Sequence, residues 1–211
     1  MMISVILASY LGDYPHAATN RPMKFKRAVN SFINQTHKDK ELIIVSDGCK
    51  ETVDIYNNKY SNHNNIKLIE LNKQTQYSGN MRNSAFDIAN GEIITYLDSD
   101  DIFGKKHLQI INDNFNIDKN DWIYYDDYMI LNDKFTKLKI RHVETRYGSI
   151  GTSSISHKNP KILKNGKHIK WSDGYGHDFI FVCKLNSLGL TFDKITTSPQ
   201  YLVAHYKDAD F

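Results

Sequence analysis

Asp98, Asp100 and Asp101 crowd the end of the run Gly91-Glu-Ile-Ile-Thr-Tyr-Leu-Asp-Ser-Asp-Asp101, with only Ser99 among them. Carboxylates this close repel one another unless a cation or a donor-rich ligand offsets the charge. Mg²⁺ and Mn²⁺ both take carboxylate, water and phosphate oxygens. The chemistry to expect is therefore a hard cation beside a phosphate-bearing ligand. The plainer reading of Asp-Ser-Asp-Asp is a solvated turn followed by a helix N-cap. The preceding residues favour the first reading. Ile93, Ile94, Tyr96 and Leu97 form a short apolar run that reads as a strand buried on both faces, as in a parallel sheet. In open α/β sheets, ligands bind just beyond the carboxyl ends of the strands.

The elements that must position these acids follow from the periodicity. Ile3 to Ala8, Glu41 to Ser46 and Ile66 to Leu71 read as further strands. Between them, Phe25, Ala28, Val29, Phe32 and Ile33 repeat at helical spacing behind Pro22, which suits the first turn of a helix. Residues 50–60, 78–89 and 104–115 also read as helices. Met81, Ala85, Ile88 and Ala89 would form the inner face of the second of these, closed at Asn90-Gly91 by a left-handed cap. Four alternations of strand and helix imply a mostly parallel sheet with right-handed crossovers and helices on both faces. Ser9-Tyr10, Asp47-Gly48 and Asp98 to Asp101 then fall on one edge of that sheet.

The second half changes character. Trp122 to Asp126 reads as a strand. Met129 to Leu131 and Phe135 to Ile140 read as a hairpin around Asn132-Asp133-Lys134. The segment from Ser149 to His157 is rich in Ser and Thr and fits strand or loop. Trp171-Ser-Asp-Gly-Tyr-Gly-His-Asp178 is a turn leading into a helix, and Tyr201 to His205 reads as a last strand.

The 211 residues fit one domain, with 40% hydrophobic and 24% charged residues, as in ordinary globular proteins. A net charge of +3 suits a polyanionic ligand without requiring nucleic acid. Cys49 and Cys183 are too few and too far apart for a disulfide framework or a zinc pattern, which points to a reducing cytoplasm. No apolar run has the length of a membrane span, and Met1 to Ala8 lacks the features of a signal peptide.

Several of these motifs, in this order, resemble the family 2 glycosyltransferases of the GT-A fold. They are Ser4-Val-Ile-Leu-Ala-Ser-Tyr10, Ala28-Val-Asn-Ser-Phe-Ile-Asn-Gln-Thr36, Glu41-Leu-Ile-Ile-Val-Ser-Asp-Gly48, Met81-Arg-Asn83, and Ala89 to Ile94 leading to Tyr96-Leu-Asp-Ser-Asp-Asp101. The match is thinner after residue 115. Leu11 stands where the family often has Asn, Cys49 where Ser is usual, and His177-Asp178 where Glu-Asp is usual.

The resemblance implies a single GT-A domain over 1–211, with a nucleotide-sugar-binding half at 1–115 and an acceptor-side half at 116–211. It implies inverting transfer from a nucleotide-diphosphate sugar, with a UDP-sugar the simplest donor and Mn²⁺ or Mg²⁺ as cofactor. Asp100 becomes the metal ligand, joined by His205. Asp98 lies against the ribose or shares the metal through water, beside Ser99, and Asp101 serves as a supporting acid or as the N-cap of the next helix. Asp47 accepts from the base, as from uracil N3–H. Ala8 and Tyr10 border the base and ribose, and Arg82 and Asn83 face the nucleotide. Asp178 is the general base. Trp171 and Tyr175 are natural platforms for a sugar ring.

The expected acceptor is a saccharide or a lipid-linked glycan. Modified DNA is a further candidate, because Lys158, Lys161, Lys164, Lys167, His168 and Lys170 form a basic stretch, although a solvated loop explains it more simply. Two other classes fit less well. A haloacid-dehalogenase-type phosphotransferase would not have Ile102 at the fifth position of its motif. A non-catalytic glycan-binding module would not need Asp47, Asp98, Asp100 and Asp178 together.

Overall fold

The computed structural model describes residues 1–14, 17, 19–73, 78–130, 138–163, 166–197 and 201–203. The strands are β1 (Ile3–Ser9), β2 (Lys40–Asp47), β3 (Ile66–Leu71), β4 (Ile93–Tyr96), β5 (Ile102–Phe103), β6 (Trp122–Tyr124), β7 (Asp127–Ile130), β8 (Leu138–Arg141), β9 (Ile155–Lys158), β10 (Phe192–Lys194) and β11 (Tyr201–Val203). The helices are α1 (Arg21–Ile33), α2 (Lys50–Lys59), α3 (Gly79–Phe86), α4 (His107–Asn114) and α5 (His177–Ser187).

A seven-stranded sheet runs β10-β6-β9-β4-β1-β2-β3. β1 pairs in parallel with β2 and β4, and β2 with β3. The segment left open between strand and loop is resolved as β9, which inserts antiparallel between β4 and β6. A second sheet, β5-β11-β7-β8, carries the expected hairpin as β7 against β8; its turn residues, Asn132 to Lys134, lie outside the described residues.

β1 shows why the sheet is buried on both faces. Successive side chains on a strand point to opposite sides. Ile3, Val5 and Leu7 join one cluster with Phe25, Phe32 and Leu108, from α1 and α4. Ile6 and Ala8 join another with Met81, Ala85, Phe181 and Val182, from α3 and α5. The chain is thus a mixed α/β fold of the GT-A type, a large mostly parallel sheet flanked by helices. Among the described residues, no helix is long and apolar enough to cross a membrane.

Three local expectations are corrected. α3 stops at Phe86, and Ile88 is exposed rather than on its inner face. Gly91 is not a left-handed cap: among the described residues it does not appear with positive φ. A Cβ there would lie 2.4 Å from Ser4 N, so glycine is required by the approach of β1, whose Ser4 Oγ accepts from Gly91 N at 2.8 Å. Asp101 does not cap the next helix, since α4 begins only at His107 behind Lys106.

Candidate active site

The ends of β1, β2 and β4 open into one cavity of about 670 Å³. Ala8 and Tyr10 line it from β1, Asp47 from β2, Asp98, Ser99 and Asp100 from beyond β4, and Met81 and Arg82 from α3. Thr152, His177 and Asp178 close it from the second half of the chain.

Asp47 is buried to 3% exposure, and its Oδ2 accepts from Lys73 Nζ at 2.5 Å. The same ammonium lies 4.4 Å over the Tyr10 ring. Gly48 makes this possible. Its φ is +61°, and a Cβ there would lie 2.6 Å from Lys73 N.

Arg82 is buried to 2% exposure rather than on an open helix face. Its Nη2 donates to Asp98 Oδ1 at 2.9 Å, and its guanidinium lies 5.0 Å from the centre of the Trp171 ring. Asp98 N donates to the Tyr201 hydroxyl at 3.0 Å, which fixes the turn that carries the acids. Burial pushes the Asp100 carboxyl up, and neighbouring Asp98 adds to this, while the charges of Arg21 and Lys24 oppose it. Arg27 Nη2 donates to the Asp100 carbonyl at 2.8 Å.

Across the cavity, Asp178 lies in the first turn of α5, where a carboxylate suits the helix dipole. It is not the N-cap: Gly176 holds that position, with φ 78°. Asp178 Oδ1 accepts from Thr152 Oγ1 at 2.5 Å and lies 3.2 Å from His177 Nε2. Burial pushes the Asp178 carboxyl up, but the bond and charge of His177, then Arg82 and Thr152, hold it below its usual value.

Not every expected residue reaches the cavity. Asn83 is turned away from it, donating to Trp171 O at 2.9 Å and accepting from Trp171 N at 2.7 Å. Trp171 is core rather than a sugar platform, stacked on Phe181 at 4.0 Å with its Nε1 donating to the Tyr96 hydroxyl. Tyr175 remains 79% exposed. Asp101 is buried behind the turn, close to Tyr201. His205 lies outside the described residues.

The basic stretch is partly structural. Lys158 pairs with Asp121 at 2.9 Å, and Lys161 Nζ donates to the Asp87 and Ala89 carbonyls just beyond the end of α3. The cavity also brings in residues that the sequence reading passed over: Asp13, Tyr14, Arg21, Lys73 and Thr152. Of these, Thr152 had a usable signal, since it stands in the Ser/Thr-rich segment.

Among the described residues, no group of three or more His, Cys, Asp or Glu could hold a metal by itself. Asp98 and Asp100 nonetheless fit a hard cation, as two oxygen donors on one wall whose mutual repulsion a cation would relieve.

A carboxylate-lined crevice at the carboxyl ends of a mostly parallel sheet defines the class of α/β proteins that hold a nucleotide at that edge. Within that class the chain belongs to glycosyl transferase family 2, whose model matches residues 17–187. An uncharacterized glycosyltransferase of Nostoc sp. is 32% identical over 111 residues, covering 53% of this chain and 32% of the relative. The chain therefore spans about a third of that relative's length. S. aureus TarS in complex with UDP-GlcNAc superposes with a TM-score of 0.70 at 19% identity, covering 98% of this chain and 59% of that one. The mannosyltransferase PcManGT from Pyrobaculum calidifontis, in complex with GDP-Man and Mn²⁺, superposes with a TM-score of 0.68 at 12% identity, covering 98% and 57%. At these identities the two structures share the fold with this chain.

Proposed function

We propose that the cavity transfers a sugar from a nucleotide-diphosphate sugar, most simply a UDP-sugar, to an acceptor hydroxyl with inversion. The observation that carries this reading is that Asp98 and Asp100, from beyond β4, and Asp178, from α5, line a single cavity. Residues 1–115 supply the donor side and residues 116–211 the acceptor side. Asp47 accepts from the base, and Ala8 and Tyr10 border it. Arg82 orients Asp98 and faces the diphosphate. Asp178 takes the proton of the attacking hydroxyl, the role of a general base. The acceptor is a saccharide or lipid-linked glycan.

Asp100, with Asp98 through water, would hold Mn²⁺ or Mg²⁺, as the bound Mn²⁺ of PcManGT supports. Such an ion offsets the negative charge that develops on a departing diphosphate. Titration calorimetry of UDP with Mn²⁺ and with EDTA tests the metal. Affinity should fall with EDTA, and Asp100→Ala should abolish the difference without unfolding the chain. Equal affinity under both conditions would remove the metal from the proposal. Release of UDP from a panel of UDP-sugars in the presence of saccharide acceptors tests the transfer itself.

A further inference from the structure

His177 Nε2 has two neighbours that make opposite demands on it. Arg82 Nη1 lies 3.3 Å away and can only donate. Asp178 Oδ1 lies 3.2 Å away and, as a carboxylate, can only accept. The other ring nitrogen is committed: Nδ1 lies 3.1 Å from the Gly174 carbonyl and must carry a proton to bond it. With Nδ1 protonated, a neutral ring presents a lone pair at Nε2, which suits Arg82 and repels Asp178. A charged ring presents N–H at Nε2, which suits Asp178 and displaces Arg82. The two arrangements differ by one proton.

Among the described residues, the charged groups that face the ring include Asp178 on its own helix and Arg82 on α3, with Asp98 behind Arg82. The Trp171 ring, 5.8 Å away, and Thr152, bonded to Asp178, carry no charge. Gly79 at the start of α3 packs against the His177 side chain; a Cβ there would lie 3.4 Å from the His177 Cβ.

We propose that His177 is a positioning residue that stores the proton Asp178 receives, so that the pair rather than the lone carboxylate is the effective base. This rests on the transferase reading above. In the step, the acceptor oxygen bonds to the anomeric carbon as the bond from that carbon to the diphosphate oxygen breaks. The electron pair leaves with the nucleotide diphosphate. The acceptor proton passes to the Asp178 carboxylate and on to His177 Nε2, and Asp178 is again a carboxylate facing an imidazolium. Arg82 Nη1, released from Nε2, is then free to turn toward the charge that has developed on the diphosphate.

The proton affinities agree with the geometry. Burial pushes the imidazole down, but the bond and charge of Asp178 outweigh it and hold His177 above its ordinary value, while Arg82 opposes them. A carboxylate in the ordinary carboxyl range is a weak base near neutral pH. Coupled to this imidazole, it delivers the proton to a site of higher affinity.

The first test needs no acceptor. Long-range ¹H–¹⁵N spectra of the full chain follow His177 through a pH titration. In the wild type its midpoint should lie above 6.5. In Asp178→Asn, where burial and Arg82 remain without the carboxylate, the midpoint should fall below that value. The same midpoint in both proteins would overturn the proposal.

The second test follows UDP release from UDP-glucose and UDP-GlcNAc, with water as acceptor, across pH. The wild-type acid limb should follow the imidazole, above 6.5, and in His177→Gln it should move down toward the carboxylate range. An unmoved limb would leave His177 a structural residue and sink the proposal. If neither sugar is hydrolysed, the transferase reading fails for those donors, and the spectra still decide the pairing.

Discussion

Asp47 ends β2 with a buried carboxylate and a half-exposed lysine 2.5 Å away. A buried acid paired with a long side-chain cation can exchange that partner for a ligand donor when the lysine swings into water. A uracil N3–H is such a donor. Leaving it unpaired in a closed site costs about 1–3 kcal/mol. Asp47→Ala should therefore weaken UDP by that amount and narrow its margin over CDP and GDP, as measured by calorimetry. An unchanged ranking of the nucleotides would remove Asp47 from base recognition. The acids themselves are legible in the sequence, because each follows an apolar run or a glycine-rich turn. The error at Asn83 is one of helical phase. Consecutive helix residues point about 100° apart, so with Met81 and Arg82 on the cavity, Asn83 is carried past it toward Trp171.

At the scale of the element, the turn 152–154 is the piece that holds Asp178 in place, and buried ions anchor it. Asp127 at the start of β7 is fully buried. It accepts from Arg141 Nε at 2.8 Å and also from Arg141 Nη2, and its Oδ2 takes the hydroxyls of Ser153 at 2.7 Å and Ser154 at 3.0 Å. Thr152, next in the chain, bonds Asp178. Removing one member of a buried ion pair costs about 3–5 kcal/mol, and Arg141 retains 31% exposure, which places Asp127→Asn toward the lower end. The urea midpoint should fall accordingly with an unchanged slope. UDP release should fall as the turn slackens, while UDP affinity holds. A midpoint equal to that of the wild type would mean that the network carries no stability. Only part of this network follows from the hairpin. Its register sets Arg141 opposite Asp127, but that Ser153 and Ser154 meet this acid depends on how the turn 152–154 packs against the hairpin. β1 to β4 are legible because strands buried on both faces leave continuous apolar runs. β9 is less legible because Ser, His and Lys share it with Ile.

For the whole molecule, two buried histidines set the response to acid. His157 sits in a defined relay: Trp171 Nε1 donates to the Tyr96 hydroxyl at 2.9 Å, that hydroxyl donates to His157 Nε2 at 2.5 Å, and His157 Nδ1 donates to the Lys158 carbonyl at 2.7 Å. Only the neutral ring satisfies this chain, and burial pushes its pKa down to about 4. His107 is stacked on Phe103 at 4.0 Å, with the rings of Tyr125 and Tyr201 edge-on to it. Neither of its ring nitrogens has a hydrogen-bond partner among the described residues, and burial pushes it down to about 3.

Both folded values lie below the ordinary 6.5, so the unfolded chain binds these protons first. Their contribution is complete above 6.5 and is lost as pH falls toward the folded values, at up to about 1.4 kcal/mol per pH unit for each ring. His177 runs the other way. Its raised value contributes below 6.5 and is lost as pH rises, so it does not add to the acid loss. Urea unfolding at pH 7, 6 and 5 should show stability falling with acid. His107→Phe keeps the stack and removes both unpartnered nitrogens, so it should raise stability at pH 6 and 5 and cut the slope toward that of His157 alone. A variant with the wild-type slope would show that His107 can be protonated in the folded chain, and the aromatic enclosure around it would have to admit water.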